Sequence, residues 1–190
     1  LNGIEIIKRL LRRVSPKSLH GCLLAIPIVN VFGFLNQSRY LPDRRDLNRS
    51  FPGRETGSIA ARIANLVATE IIAQSNYGID LHTGAINRTN LPQIRADLSN
   101  PVVRKMADAF GAPVAIDAAV RDGTLRQYAS REGKPTLLYE CGEALRFDEL
   151  SIKAGVRGIV RVLRVLEMLP AAAPARCSRW PAPSSARPSR

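Results

Sequence analysis

Cysteine is scarce in this chain: there are three, Cys22, Cys141 and Cys177, with no close spacing among them. An odd, scattered set excludes a disulfide framework and a Cys-x-x-Cys metal knuckle, and leaves buried free thiols as the expectation. No run approaches the ~20 apolar residues of a membrane span, and no basic-then-apolar stretch opens the chain, so a cytoplasmic location is expected. There is no Gly-rich phosphate loop, no Gly-x-Ser-x-Gly elbow and no Cys/His pairing, which removes the corresponding phosphate-binding and nucleophilic chemistries. Aromatic residues amount to 5% and are not interleaved with the basic ones, as stacking on single-stranded nucleic acid requires.

Acidic residues are also outnumbered, 16 against 28 basic ones, for a net charge of +12. The excess is scattered, and Arg176, Arg179, Arg187 and Arg190 account for four charges of it, which leaves +8 on residues 1–169. Neither a nucleic-acid partner nor a membrane is expected. What remains is a globular composition, 45% apolar and 23% charged over 190 residues, with room for one domain of the usual ~100–200 residues.

Helical and strand patterns alternate. Ile4, Ile7, Leu11 and Val14 recur at helical spacing, so residues 3–14 read as an amphipathic helix. Cys22–Val29 is nearly all apolar, as in a strand buried on both faces. A helix is expected over 58–74, capped by Ser58, with Ile59, Ile63, Leu66 and Val67 inward. Tyr77–Leu81 reads as a strand ending at His82. Pro92–Ala96 and Pro113–Asp117 read as strands around a helix opening near Pro101. Residues 124–132 read as a helix closed by Gly133, Pro135–Glu140 as a buried strand, and Asp148 as the cap of a last helix reaching Leu169. The alternation predicts an α/β fold, a mostly parallel sheet with helices on both faces, over residues 1–169. Residues 170–190, rich in Ala, Pro, Ser and Arg, read as a disordered or non-native tail.

In open α/β sheets ligands bind at the carboxyl ends of strands, so polar residues there are the candidates. The loop 38–53 offers several guanidinium groups, whose forks hold carboxylates in two-pronged hydrogen bonds, and an Asn able to donate and accept. The plainer reading is a solvated loop in which Asp43 and Asp46 pair with neighbouring arginines. In Asp80-Leu81-His82-Thr83-Gly84, an imidazole stands just past an apolar strand, where it can bind a metal or serve as a hydrogen-bonded structural residue. In Leu137-Leu138-Tyr139-Glu140-Cys141-Gly142-Glu143, Glu140 ends an apolar strand, a setting for a general base or for a carboxylate satisfied by an arginine. Glu143 reads as solvated or helix-capping, and His20 as a surface turn residue.

Taken together, Asn2-Gly3 opening a helix, Val29-Asn30 with Gly33-Phe34, Asp46-Leu47-Asn48-Arg49, Asp80-Leu81-His82-Thr83-Gly84, and Tyr139-Glu140 with Gly142-Glu143 resemble the succinylglutamate desuccinylase/aspartoacylase family, related to the zinc carboxypeptidases. Order and spacing match over residues 1–169. The resemblance implies zinc-dependent hydrolysis of an N-acyl amino acid or related amide or ester, a small acidic substrate. It assigns His82 as a zinc ligand, Glu140 as the general base, and Arg39, Asn48 and Arg49 as residues that hold substrate carboxylate and carbonyl groups. Arg95, Arg121 and Arg126 are further candidates for an anionic pocket.

One departure bears on activity. The family's other two zinc ligands belong to a His-x-x-Glu motif expected upstream of Leu1, and a catalytic zinc uses three protein ligands. The chain as it stands is therefore expected to bind zinc weakly, to lack turnover and to be poorly stable. The alternatives are a non-catalytic remnant or small-acid-binding module, and a carboxypeptidase-like metallopeptidase.

Overall fold

A computed structural model describes residues 1–172 of the chain. Cys177 and nearly all of the 170–190 tail lie outside the described residues. Helices α1 (Asn2–Arg13), α2 (Val31–Leu35), α3 (Ile59–Val67), α4 (Pro101–Phe110), α5 (Leu125–Arg131) and α6 (Glu149–Val165) accompany strands β1 (Gly78–Gly84), β2 (Asn90–Ala96), β3 (Val114–Asp117) and β4 (Thr136–Glu143). Local chemistry starts and stops these elements as expected. The side chains of Ser58 and Asp148 accept N–H groups at the starts of α3 and α6, Pro101 sits in the first turn of α4, and Gly133 follows α5 with φ at 67°.

The sheet order is β1-β4-β2-β3. β1 with β4 and β2 with β3 run parallel, while β2 and β4 run antiparallel. The sheet is thus mixed, with two parallel ladders. The connection 85–89 is too short for the crossover of about a dozen residues that a parallel neighbour needs, so β2 reverses direction.

Period-two alternation sends Leu137, Tyr139 and Cys141 of β4 and Ile94 and Ala96 of β2 to one face, where they pack with Ile6 and Leu10 of α1, Met106 and Phe110 of α4, and Ile152, Val156 and Ile159 of α6. Burying each large apolar side chain contributes roughly 1.5–3 kcal/mol. A second cluster joins Leu41, Leu47 and Phe51 of the loop 38–53 to Ala60, Ala64 and Val67 of α3 and Ala129 of α5. α5 also packs on β4, so helices flank the sheet on both sides.

Four expectations are corrected. Cys22–Val29 pairs with none of the described strands; Leu24 and Val29 are exposed, as is Cys22, which is not a buried thiol. An apolar run becomes a buried strand only where a neighbouring strand and covering helices receive it. The buried stripe of α1 is Asn2, Ile6 and Leu10, with Val14 beyond it, and Leu11 points outward. In α3 the inner face is Ala60, Ala64 and Val67, while Ile59 and Leu66 are exposed, because the large side chains of the loop already fill that space. Finally, α6 ends at Val165, after which the Met168 and Leu169 N–H groups both turn back to the Leu163 carbonyl. No helix among the described residues is long and apolar enough to cross a membrane.

Candidate active site

The face of the sheet opposite the first core carries the polar residues. Across the β1–β4 ladder Asp80 stands opposite Leu138 and His82 opposite Glu140; across β4–β2, Glu140 stands opposite Gln93 and Leu138 opposite Arg95. Ladder partners share a face and alternate residues return to it, so Asp80, His82, Glu140, Gln93 and Arg95 converge there. His82 and Glu140 lie at the carboxyl ends of parallel neighbours, where ligands of such sheets bind.

His82 Nε2 donates to Asp80 Oδ2 at 2.8 Å, which leaves Nδ1 for a ligand or substrate. Burial disfavours the imidazolium, but the charge and hydrogen bond of Asp80, with the Glu140 charge added, outweigh it, and the His82 pKa stands above its ordinary value near 6.5. A pKa raised in the folded state contributes stability that is fully present below the unfolded value and is lost as pH rises through the folded one. Asp80→Asn should therefore lower the His82 midpoint in an NMR titration and weaken this pH dependence of the urea midpoint; an unmoved midpoint would refute the pairing.

Glu140 is largely buried, with Arg95 Nη1 at 3.6 Å from its Oε2. Glu143, expected in solvent, is buried. Its carboxylate accepts the Asn87 N–H at 2.9 Å and the Thr89 hydroxyl at 3.2 Å, fixing the turn that follows His82.

The loop 38–53 is more committed to structure than its sequence suggests. Arg39 donates twice to Asp46 Oδ2, at 2.9 and 2.8 Å, and Asp46 Oδ1 accepts the Asn48 N–H. Arg39 remains near enough to His82 for its charge to oppose protonation there. Asn48 Oδ1 accepts the Leu125 N–H at 2.9 Å, so this side chain caps α5 and keeps only its Nδ2 to donate. Arg49 is exposed and turns Nη1 to the Asn48 carbonyl. Asp43 pairs with no arginine side chain among the described residues; it accepts the N–H groups of Ala60 and Arg45. His82 and Glu140 are thus brought together across the ladder, with the Arg39 charge acting on His82, while Asn48 and Arg49 stand beside the start of α5 with no hydrogen bond to His82 or Glu140.

Asn48→Ala removes the acceptor for the Leu125 N–H and should cost about 1 kcal/mol of stability by urea unfolding. A neutral result would mean that water serves this helix start equally well.

Arg95, Arg121 and Arg126 were offered by the sequence only as a group; alternation with the core residues Ile94 and Ala96 along β2 puts Arg95 on the polar face, and the place of Arg126 follows from how α5 lies. Arg126 Nη2 donates to the Ala119 carbonyl at 3.1 Å and its Nη1 is buried without a partner among the described residues. Burial first, then the like charge of Arg95, lower its pKa. Arg121 is exposed.

Among the described residues no three His, Cys, Asp or Glu side chains converge to hold a metal ion. His82 is the one imidazole at the site, its neighbour Asp80 is spent on Nε2, and His20 is exposed on another part of the surface. These residues do not by themselves fit the three-ligand zinc site that the motifs imply.

Residues 1–166 match the succinylglutamate desuccinylase/aspartoacylase catalytic domain. Over 120 residues the chain is 29% identical to an N-alpha-acetyl-L-2,4-diaminobutyric acid deacetylase of Halomonas elongata, covering 60% of this chain and 35% of that protein. It is similar to a solved succinylglutamate desuccinylase/aspartoacylase from Rhodobacter sphaeroides, with a TM-score of 0.79 and 28% identity over 90% of this chain and 53% of that one. In fold it also resembles a product-bound ectoine utilization protein from Ruegeria pomeroyi, with a TM-score of 0.82 and 24% identity over 90% of this chain and 55% of that one. The chain spans about a third of the curated relative and about half of each solved structure. Because the match runs through the whole sheet and every helix on it, the chain belongs to the succinylglutamate desuccinylase/aspartoacylase family, through its catalytic domain.

Proposed function

We propose that this chain carries part of the active site of a zinc-dependent deacylase that hydrolyses an N-acyl amino acid or a related amide or ester. The observation that carries the reading is the cross-ladder pair of His82 and Glu140 at adjoining strand ends, on a face that also bears Arg95 and lies near Arg39. In this reading Glu140 takes a proton from the attacking water and returns it to the leaving nitrogen, while Asp80 orients His82 as one metal ligand. Arg39, Asn48 and Arg49 neutralise and align the acidic substrate. The acyl amino acid class draws support from the acetylated substrate named for the Halomonas relative.

Zinc enters from the family, whose fold is that of the zinc carboxypeptidases, and not from these residues. A metal held through His82 needs two further protein ligands. Elemental analysis of the purified chain is expected to find far less than one zinc per chain, with His82→Ala no different. Near one zinc, lost in the variant, would show that other groups complete the site. N-acetyl amino acids added to the labelled chain should move the resonances of His82 and Glu140; shifts confined to another face would refute the substrate assignment. The missing ligand cluster favours, as a second reading, a chain that binds small acids without hydrolysing them; ligand binding with no zinc and no turnover is its signature.

A further inference from the structure

Arg95 and Glu140 form a pair that is close but not bonded. Arg95 lies diagonally from Glu140 across the β4–β2 ladder, within reach of a long side chain. The 3.6 Å between Nη1 and Oε2 lies outside the 2.7–3.2 Å of an N–H···O bond. The arginines around this face differ in how they spend their donors. Arg39 gives two to Asp46 and Arg126 gives one to Ala119. Arg95 donates no hydrogen bond to any described residue, and its side chain is 45% exposed. Glu140 likewise accepts none from the described residues. A partly exposed ion pair of this kind is weak, so inserting a ligand between its members costs little.

A cation and an anion side by side, both with open hydrogen-bonding capacity, complement a molecule that carries the opposite charges on one carbon. We infer that Arg95 and Glu140 together bind the zwitterionic head of an α-amino acid, its carboxylate on the guanidinium fork and its ammonium on the Glu140 carboxylate. This rests on the deacylase reading in one respect: it identifies the ligand as the amino acid that hydrolysis releases, and Arg95 as the residue that recognises its carboxylate. An N-acylated amino acid keeps the carboxylate but lacks the ammonium, so the pair favours product over substrate.

The test is an NMR titration of the isotope-labelled, metal-free chain with glycine, acetate, methylamine and N-acetylglycine, followed at the amides of residues 93–95 and 139–141. Glycine should move both strands and bind about tenfold or more tighter than acetate or methylamine, the equivalent of one charge-assisted hydrogen bond. Arg95→Gln should weaken glycine about tenfold, and Arg95→Lys, which keeps the charge without the fork, should fall between. Lys105→Gln, on the exposed side of α4, should leave glycine binding unchanged. Dispersion of the amide spectrum reports whether each variant is folded. Glycine binding no tighter than acetate, an indifferent Arg95→Gln, or no shift on β2 and β4 overturns the inference. If N-acetylglycine still moves His82 and Glu140 in that event, the deacylase reading stands without it. A failure of the zinc assignment leaves the glycine result untouched, since no metal is present.

Discussion

Tyr139→Ala should remove about 3–5 kcal/mol of stability, a large part of what holds a domain of this size together. Tyr139 is fully buried in β4, the strand that joins β1 to β2. Its ring lies 4.8 Å from that of Phe110, tilted by 38°, and ties the sheet to α4. Its hydroxyl donates to the Ser151 carbonyl at 2.9 Å, which ties the same strand to α6, and burial raises the pKa of this hydroxyl above its ordinary value. Truncation leaves a cavity among rigid elements and removes the hydroxyl's hydrogen bond to α6. Tyr139→Phe keeps the ring and should cost only about 1 kcal/mol. Urea unfolding of both variants separates the two contributions, and equal losses would show that the ring contributes little. Because Glu140 is the next residue, the cavity should also loosen the candidate base.

Gly84→Ala should cost about 1–3 kcal/mol and displace His82. A Cβ at this position would clash with the Arg88 carbonyl oxygen and lie 2.9 Å from that of Gly142. Both are main-chain atoms in a corner that Glu143 holds through Asn87 and Thr89, so neither yields as a flexible side chain would. The ladder register shifts between His82 and Gly84, which places the substitution at the irregularity that ends β1. The checks are the urea midpoint and the imidazole resonances of His82. Unchanged resonances with a loss below about 0.5 kcal/mol would mean that the corner is soft.

The helix boundaries were legible because their causes are local. Ser58, Pro101, Gly133 and Asp148 act on groups within a turn of themselves, so a reader of the chain sees cause and effect together. His82 and Glu140 were legible as polar residues late in apolar strands, although β1 runs on to Gly84 and β4 to Glu143, and the motif spacing named the family over nearly the same residues that the domain match covers.

The misreadings share one origin. Cys22–Val29 has the composition of a buried strand but no ladder partner among the described residues. Ile59 and Leu66 are apolar, yet Leu41, Leu47 and Phe51 fill the space beside α3 and leave those two outside. Asn48 resembles a free substrate donor until the Leu125 N–H, 77 positions away, takes its acceptor. Glu143 looked solvated and is instead spent on a turn 54 and 56 positions before it.

The sequence by itself determined the family, the α/β class, the element starts and the chemical types at the site, since these depend on residue identity, spacing and contacts within a few positions. Only the tertiary structure decided that β2 runs against β4, that Glu140 faces both His82 and Arg95, and that Arg39 and Asn48 are partly spent on the scaffold. Those outcomes depend on strand order and on which distant group arrives first at each donor and acceptor, and a hydrogen bond committed to one partner is no longer available to a ligand.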